Sequence, residues 1–182
     1  MLLAFALSVL MAGPGARASA LGPAAKPPAP LPPVARRGGP VGLADSVVIE
    51  KRAHTLTLYH MGRAIRSYRV ALGGQPVGDK VSAGDRRTPE GVFFIEDRNP
   101  NSLFHLSLRI SYPDAAHRTR AQAMGVSPGG DIMIHGLPNG RGSVGAAHRQ
   151  TDWTNGCIAL TDQEIEEIWN AVPVGTPVEI KA

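Results

Sequence analysis

The sequence is poor in cysteine. Its 182 residues contain one, Cys157, inside the stretch "TDWTNGC". A single thiol has no intramolecular partner, so a disulfide-stapled scaffold is excluded. The chain also lacks a long apolar run. The most hydrophobic stretch, Leu2 to Ala12, falls well short of the ~20 residues of a membrane-spanning helix, so no stable membrane span is expected. It is followed by Gly13-Pro14-Gly15 and then Ala18-Ser19-Ala20, the order of an apolar h-region and an A-x-A cleavage site. No Lys or Arg precedes it, a departure from the ordinary signal peptide. Residues 1–20 are read as an export signal, with the mature chain starting near Leu21. In an oxidising compartment, a lone thiol is either a small buried hydrophobe or a reactive group.

The part expected to fold also lacks net charge. The whole chain has 19 basic and 15 acidic residues. Four of the basic ones, Arg17, Lys26, Arg36 and Arg37, precede Val41, with no acidic residue among them. The remainder is balanced, and a nucleic-acid partner is not expected, because such proteins concentrate positive charge on the folded domain. Residues 21–42 are rich in Pro, Ala and Gly and are read as an extended linker. Residues 43–182 form one domain-sized piece without an internal repeat.

Within that piece the strand signals dominate. Leu56, Leu58 and His60 alternate with Thr55, Thr57 and Tyr59, and Met61-Gly62-Arg63 marks a hairpin returning along "AIRSYRVAL". Further strands are read in "TPEGVFFIEDRNP", "LFHLSLRISYP", "DIMIHG" and "GTPVEIKA". "DAAHRTRAQAMG" is read as a short helical segment closed by Gly125. In "TDQEIEEIWNAVP", Thr161 and Glu164 form a capping box. Ile165, Ile168, Trp169 and Val172 share one helical face, and Pro173 stops the helix. The expected fold is mostly β, a curled sheet or sandwich with one or two packed helices.

A nucleophilic cysteine needs a base within reach and N–H donors for an oxyanion. Of six histidines, His54, His60 and His105 lie in expected strands and His117 in a charged helical stretch, and all four read as half-buried or solvated side chains. Two remain. His135 ends a strand and is followed by Gly136. His148 lies in "NGRGSVGAAHRQ", which reads as a mobile loop. Spacing favours His135. A zinc site from His135, His148, Asp152 and Cys157 is the metal alternative, but it lacks a C-x-x-C or H-x-x-x-H pair. A papain-like protease would carry its cysteine before its histidine, the reverse of the order here.

The pair "IHG" and "TNGC", with "GDKVSAGDRRTPEGVFFI" upstream, resembles the signature of YkuD-type L,D-transpeptidases. The likeness runs from about Ser46 to Ile180. It implies a β-rich domain in the periplasm or cell envelope acting on peptidoglycan stem peptides, with no cofactor and no metal. It assigns Cys157 as nucleophile, His135 as base, the Gly136 carbonyl as its orienter, and the Gly156 and Cys157 amides as oxyanion donors. Arg87, Thr154, Asn155 and His148 are nominated as substrate contacts. Many members have His where this chain has Asn155, and Arg where it has Ala159. In this respect "DWTNGCIAL" is similar to the subgroup containing the murein-lipoprotein amidase, which implies a murein-attached lipoprotein as a further partner. A catalytically silent wall-binding module is the alternative without enzymatic activity.

Overall fold

A computed structural model describes residues 42–182, so the export signal and nearly all of the linker lie outside the described residues. Eight strands form one sheet: β1 (Ser46–Glu50), β2 (Thr55–His60), β3 (Arg63–Arg69), β4 (Gly91–Ser102), β5 (His105–Ile110), β6 (Met133–His135), β7 (Ile158–Ala159) and β8 (Pro177–Lys181). Their order across the sheet is β3-β2-β1-β8-β4-β5-β6-β7. The β1–β8 and β6–β7 pairs are parallel and the rest antiparallel. The chain beyond β3 reaches the opposite edge, where Ala71 and Ala159 exchange N–H···O bonds of 3.0 and 2.9 Å. This bridge curls the sheet and removes one free edge.

Alternating apolar residues build the core. Val47, Ile49, Leu56, Leu58, Phe93, Ile95, Leu108, Ile110, Ile134 and Ile158 are all buried. Helix α1 (Ala115–Ala123) starts at Asp114, whose carboxylate accepts the His117 N–H. Helix α2 (Asp162–Ala171) carries both halves of the expected capping box at Thr161 and Glu164. It buries Ile165, Ile168 and Ala171 against the core, with Val172 beneath its end. Trp169 sits at the margin, where the Arg98 guanidinium lies 4.0 Å over its ring.

Three local expectations are corrected. "NGRGSVGAAHRQ" is largely ordered as a 3₁₀ segment, Gly142–Gln150, kinked at Gly145, and His148 in it is buried. Its glycines suggest mobility, but its last turn packs on Trp153. His54 lies in the turn between β1 and β2 and bonds the Asp152 carboxylate at 2.9 Å. His117 is buried rather than solvated, held between Asp114 at 2.6 Å and Asp79 at 3.2 Å.

Candidate active site

The stretch before β7 is folded by its own polar groups. Thr154 is buried, and its hydroxyl donates to the Cys157 carbonyl at 2.7 Å while accepting the Gly156 N–H at 3.1 Å. Its backbone bonds Leu72 and Gly74 beyond β3 at 3.1 and 3.0 Å. Asp152 adds a second anchor, accepting the Leu72 N–H at 2.8 Å besides its bond to His54. Gly156 has φ 128°, and a Cβ there would lie 2.6 Å from the Arg87 carbonyl oxygen. Only glycine fits both constraints. Together these contacts fix Cys157 immediately before β7.

His135 is placed by the neighbouring strand. Ile134 pairs with Ile158 and His135 with Ala159. The isoleucines point into the core, so His135 and Cys157, two residues before Ala159, share the other face. The imidazole is buried, with Phe104 4.5 Å and Trp153 5.8 Å away between ring centroids. Its Nδ1 lies 2.7 Å from the Gly136 carbonyl. A carbonyl only accepts, so Nδ1 carries the proton and Nε2 holds the lone pair.

Both groups rest uncharged. Burial pushes the Cys157 thiol up, opposed by the Met133 N–H, with the Asp131 charge raising it further and Lys80 lowering it. The thiol donates to the Asp131 carbonyl at 3.5 Å. Burial lowers the His135 imidazole, opposed by its bond to Gly136. A neutral thiol and a neutral imidazole on one sheet face suit a proton transfer made when substrate arrives.

The other nominated residues are placed unevenly. His148 stands close enough to His135 for the two charges to be felt, and its Nδ1 faces the Trp153 indole N–H at 3.4 Å. Asn155 is exposed on the rim of the loop. Arg87 touches the cysteine loop through its backbone carbonyl, but its guanidinium turns away and donates to the Asp79 carbonyl at 3.3 Å. The arginine lying across Gly74 is its neighbour, Arg86, which sequence reasoning passed over. Of the two nominated oxyanion donors, the Gly156 N–H is already engaged by Thr154, so an oxyanion at that amide must displace the hydroxyl. Phe104 and Trp153 were also missed as walls of the histidine pocket, although Trp153 lies inside the quoted motif. Among the described residues no group of three His, Cys, Asp or Glu side chains is placed to hold a metal ion.

Burial also holds the His148 pKa down, to about 4. Its folded-state pKa is therefore below the unfolded value near 6.5, and the unfolded chain binds the extra proton first. Stability from this group is present above about pH 6.5 and is lost as pH falls towards 4, by up to about 3 kcal/mol. Urea midpoints measured from pH 7 to 4 should fall less steeply for His148→Gln than for wild type. Equal slopes would show that His148 is not buried as a neutral ring.

The model of the YkuD family, described as the L,D-transpeptidase catalytic domain, matches residues 44–180. YafK of Escherichia coli strain K12, provisionally named an L,D-transpeptidase, is 29% identical over 133 residues, covering 69% of this chain and 46% of that protein. The chain thus spans about half the length of the relatives it matches. Among solved structures, the helical cell shape determining protein Pgp2 from Campylobacter jejuni superposes with a TM-score of 0.58 at 24% identity, covering 79% of this chain and 52% of that one. Bd1075 of Bdellovibrio bacteriovorus gives a TM-score of 0.51 at 19% identity, covering 77% and 51%. These structural likenesses establish the shared fold.

Proposed function

The chain belongs to the YkuD family of L,D-transpeptidase catalytic domains, and from that membership we propose that it is a cysteine acyltransferase of the cell envelope acting on peptidoglycan stem peptides. The observation that carries the reading is the shared sheet face of Cys157 and His135, with the imidazole tautomer held by Gly136. His135 Nε2 takes the thiol proton. The thiolate attacks the diaminopimelate carbonyl of a stem peptide, and the tetrahedral oxyanion forms near the Cys157 amide. The imidazolium returns its proton to the leaving amine, and a thioester remains. An acceptor amine or water then attacks that thioester, with His135 again taking the proton. The enzyme would work in the periplasm after export. A role in cell shape is suggested by the name of Pgp2.

Net hydrolysis, including release of a murein-attached lipoprotein, is a second reading supported by a specific observation. Asn155 cannot take a proton at working pH. The His148 lone pair faces the Trp153 indole N–H. Neither group activates an acceptor amine as placed, whereas water needs less positioning. Ala159, where the family resemblance leads one to expect Arg, is fully buried and bonded to Ala71.

The full chain should be incubated with a purified tetrapeptide muropeptide donor and excess diaminopimelate-bearing acceptor, and the products identified by mass spectrometry. Cross-linked 3–3 dimers support transpeptidation. Tripeptide alone, or lipoprotein freed when lipoprotein-bearing murein is supplied in a parallel incubation, supports hydrolysis. No product, together with a thiol that alkylates no faster than an ordinary cysteine, would leave a silent wall-binding module and overturn the enzymatic reading.

A further inference from the structure

We propose that Asp162 is a positioning residue for His135, acting on the imidazole through the single peptide group between Gly136 and Leu137. This inference rests on the reading of His135 as base of Cys157. That peptide is engaged at both ends. Its carbonyl accepts the His135 Nδ1–H at 2.7 Å, and its N–H donates to Asp162 Oδ1 at 2.8 Å. Resonance couples the two ends of a peptide. A carboxylate drawing on the N–H raises the negative charge on the carbonyl oxygen, and chains of hydrogen bonds polarise one another in a buried setting. The arrangement is a carboxylate–histidine pair with one peptide inserted. It makes the imidazole a stronger base while holding Nε2 free for the thiol proton.

The surroundings are shaped to admit this carboxylate. A Cβ on Gly136 would lie 2.9 Å from Asp162 Oδ1 and 3.0 Å from Ile165 Cγ2, and a Cβ on Gly142 would collide with Oδ2. Glycine on both sides lets the carboxylate reach the peptide. The helix start holds it there. Asp162 is the first residue of α2, directly after the capping Thr161, where the helix N-terminus favours a negative charge. An acidic residue that served only the helix would have no need to bond a backbone 25 positions earlier. The other charged or titratable groups around this corner are His105 with its partner Glu166, His148, Arg149 and Glu164. They are the same in every variant below.

The test follows alkylation of Cys157 by iodoacetamide against pH in the full chain, so it needs no substrate. Asp162→Asn keeps an oxygen for the Leu137 N–H and removes the charge, while Asp162→Ser removes the carboxylate altogether. With less basicity at His135, the neutral imidazole takes the thiol proton less readily as iodoacetamide is attacked. The alkylation rate at pH 7 should fall about threefold to tenfold, and the gap from wild type should close at high pH, where the thiol ionises without help from the base. In a His135→Ala background the same substitutions should not slow alkylation further. Thermal melts record any loss at the α2 terminus separately. A slow His135→Ala protein beside wild-type behaviour in both Asp162 variants would overturn the relay alone. Equal slowing with and without His135 would also overturn it, because the effect would not pass through the imidazole. A His135→Ala protein that alkylates as fast as wild type would overturn the base assignment and the relay with it.

Discussion

Replacing Cys157 by alanine should abolish acyl-enzyme formation and leave the fold standing. The thiol is the chain's only one, so no second cysteine can substitute for it. Its packing contribution is small, because the residue is partly exposed and its thiol makes a long contact to the Asp131 carbonyl. The change in stability should stay within about 1 kcal/mol. Serine is the sharper control. It keeps the size and the hydrogen bond, but its hydroxyl ionises far above the thiol, and the ionised form is the attacking one. Incubation with a tetrapeptide donor followed by intact-mass spectrometry should show a donor adduct on the wild-type chain and none on either variant. An adduct on Cys157→Ala would move the nucleophile elsewhere and end the thioester mechanism. An adduct on Cys157→Ser at a comparable rate would mean that thiol ionisation is not what limits the reaction.

Much of this site was legible in the sequence because its signals are local. Thr161 and Glu164 announce the start of α2 three residues apart, and the capping box forms as written. The His135-Gly136 and Gly156-Cys157 pairs sit at the ends of short apolar stretches, and strand pairing brings those stretches side by side. What sequence reasoning missed depends on contacts between distant positions. Asp162 carries no signal in the sequence, and its contact with the turn after β6 is visible only in the fold. His148 reads as a loop residue because three glycines precede it, and its burial comes from the Trp153 ring. His117 reads as a solvated helical residue, but two carboxylates from separate segments close round it. Arg87 and Arg86 are adjacent and chemically identical, and the backbone decides where each guanidinium goes. Arg86 takes φ 57° and lies across Gly74, while Arg87 turns to Asp79.

Gly156→Ala should be a severely damaging change beside the nucleophile, although it adds a single methyl. Two penalties coincide. The backbone sits at φ 128°, a region that L side chains rarely adopt, costing about 1–3 kcal/mol. The new Cβ would also stand 2.6 Å from the Arg87 carbonyl oxygen and 3.0 Å from Ile132 Cδ1. The isoleucine end can rotate, but the carbonyl belongs to a backbone whose N–H donates to the Asp85 carboxylate at 3.0 Å. It yields only if that turn shifts too. Overpacking of this kind adds a further ~1–3 kcal/mol. Together they take a large share of the ~5–15 kcal/mol of a whole domain, and the melting temperature should fall by about 10 °C. The catalytic loss should be larger than the stability loss implies. Thr154 ties the Gly156 N–H to the Cys157 carbonyl through one hydroxyl, so relief at Gly156 displaces Cys157 relative to His135. A misplacement of about 1 Å in such a pair costs on the order of a hundredfold in rate. Stopped-flow acylation at a temperature where the variant remains folded separates the two effects. A hundredfold slower acylation in folded protein is the expected result. Wild-type melting and wild-type acylation together would mean that the approach of the Arg87 carbonyl to Gly156 is not what sets the position of the thiol.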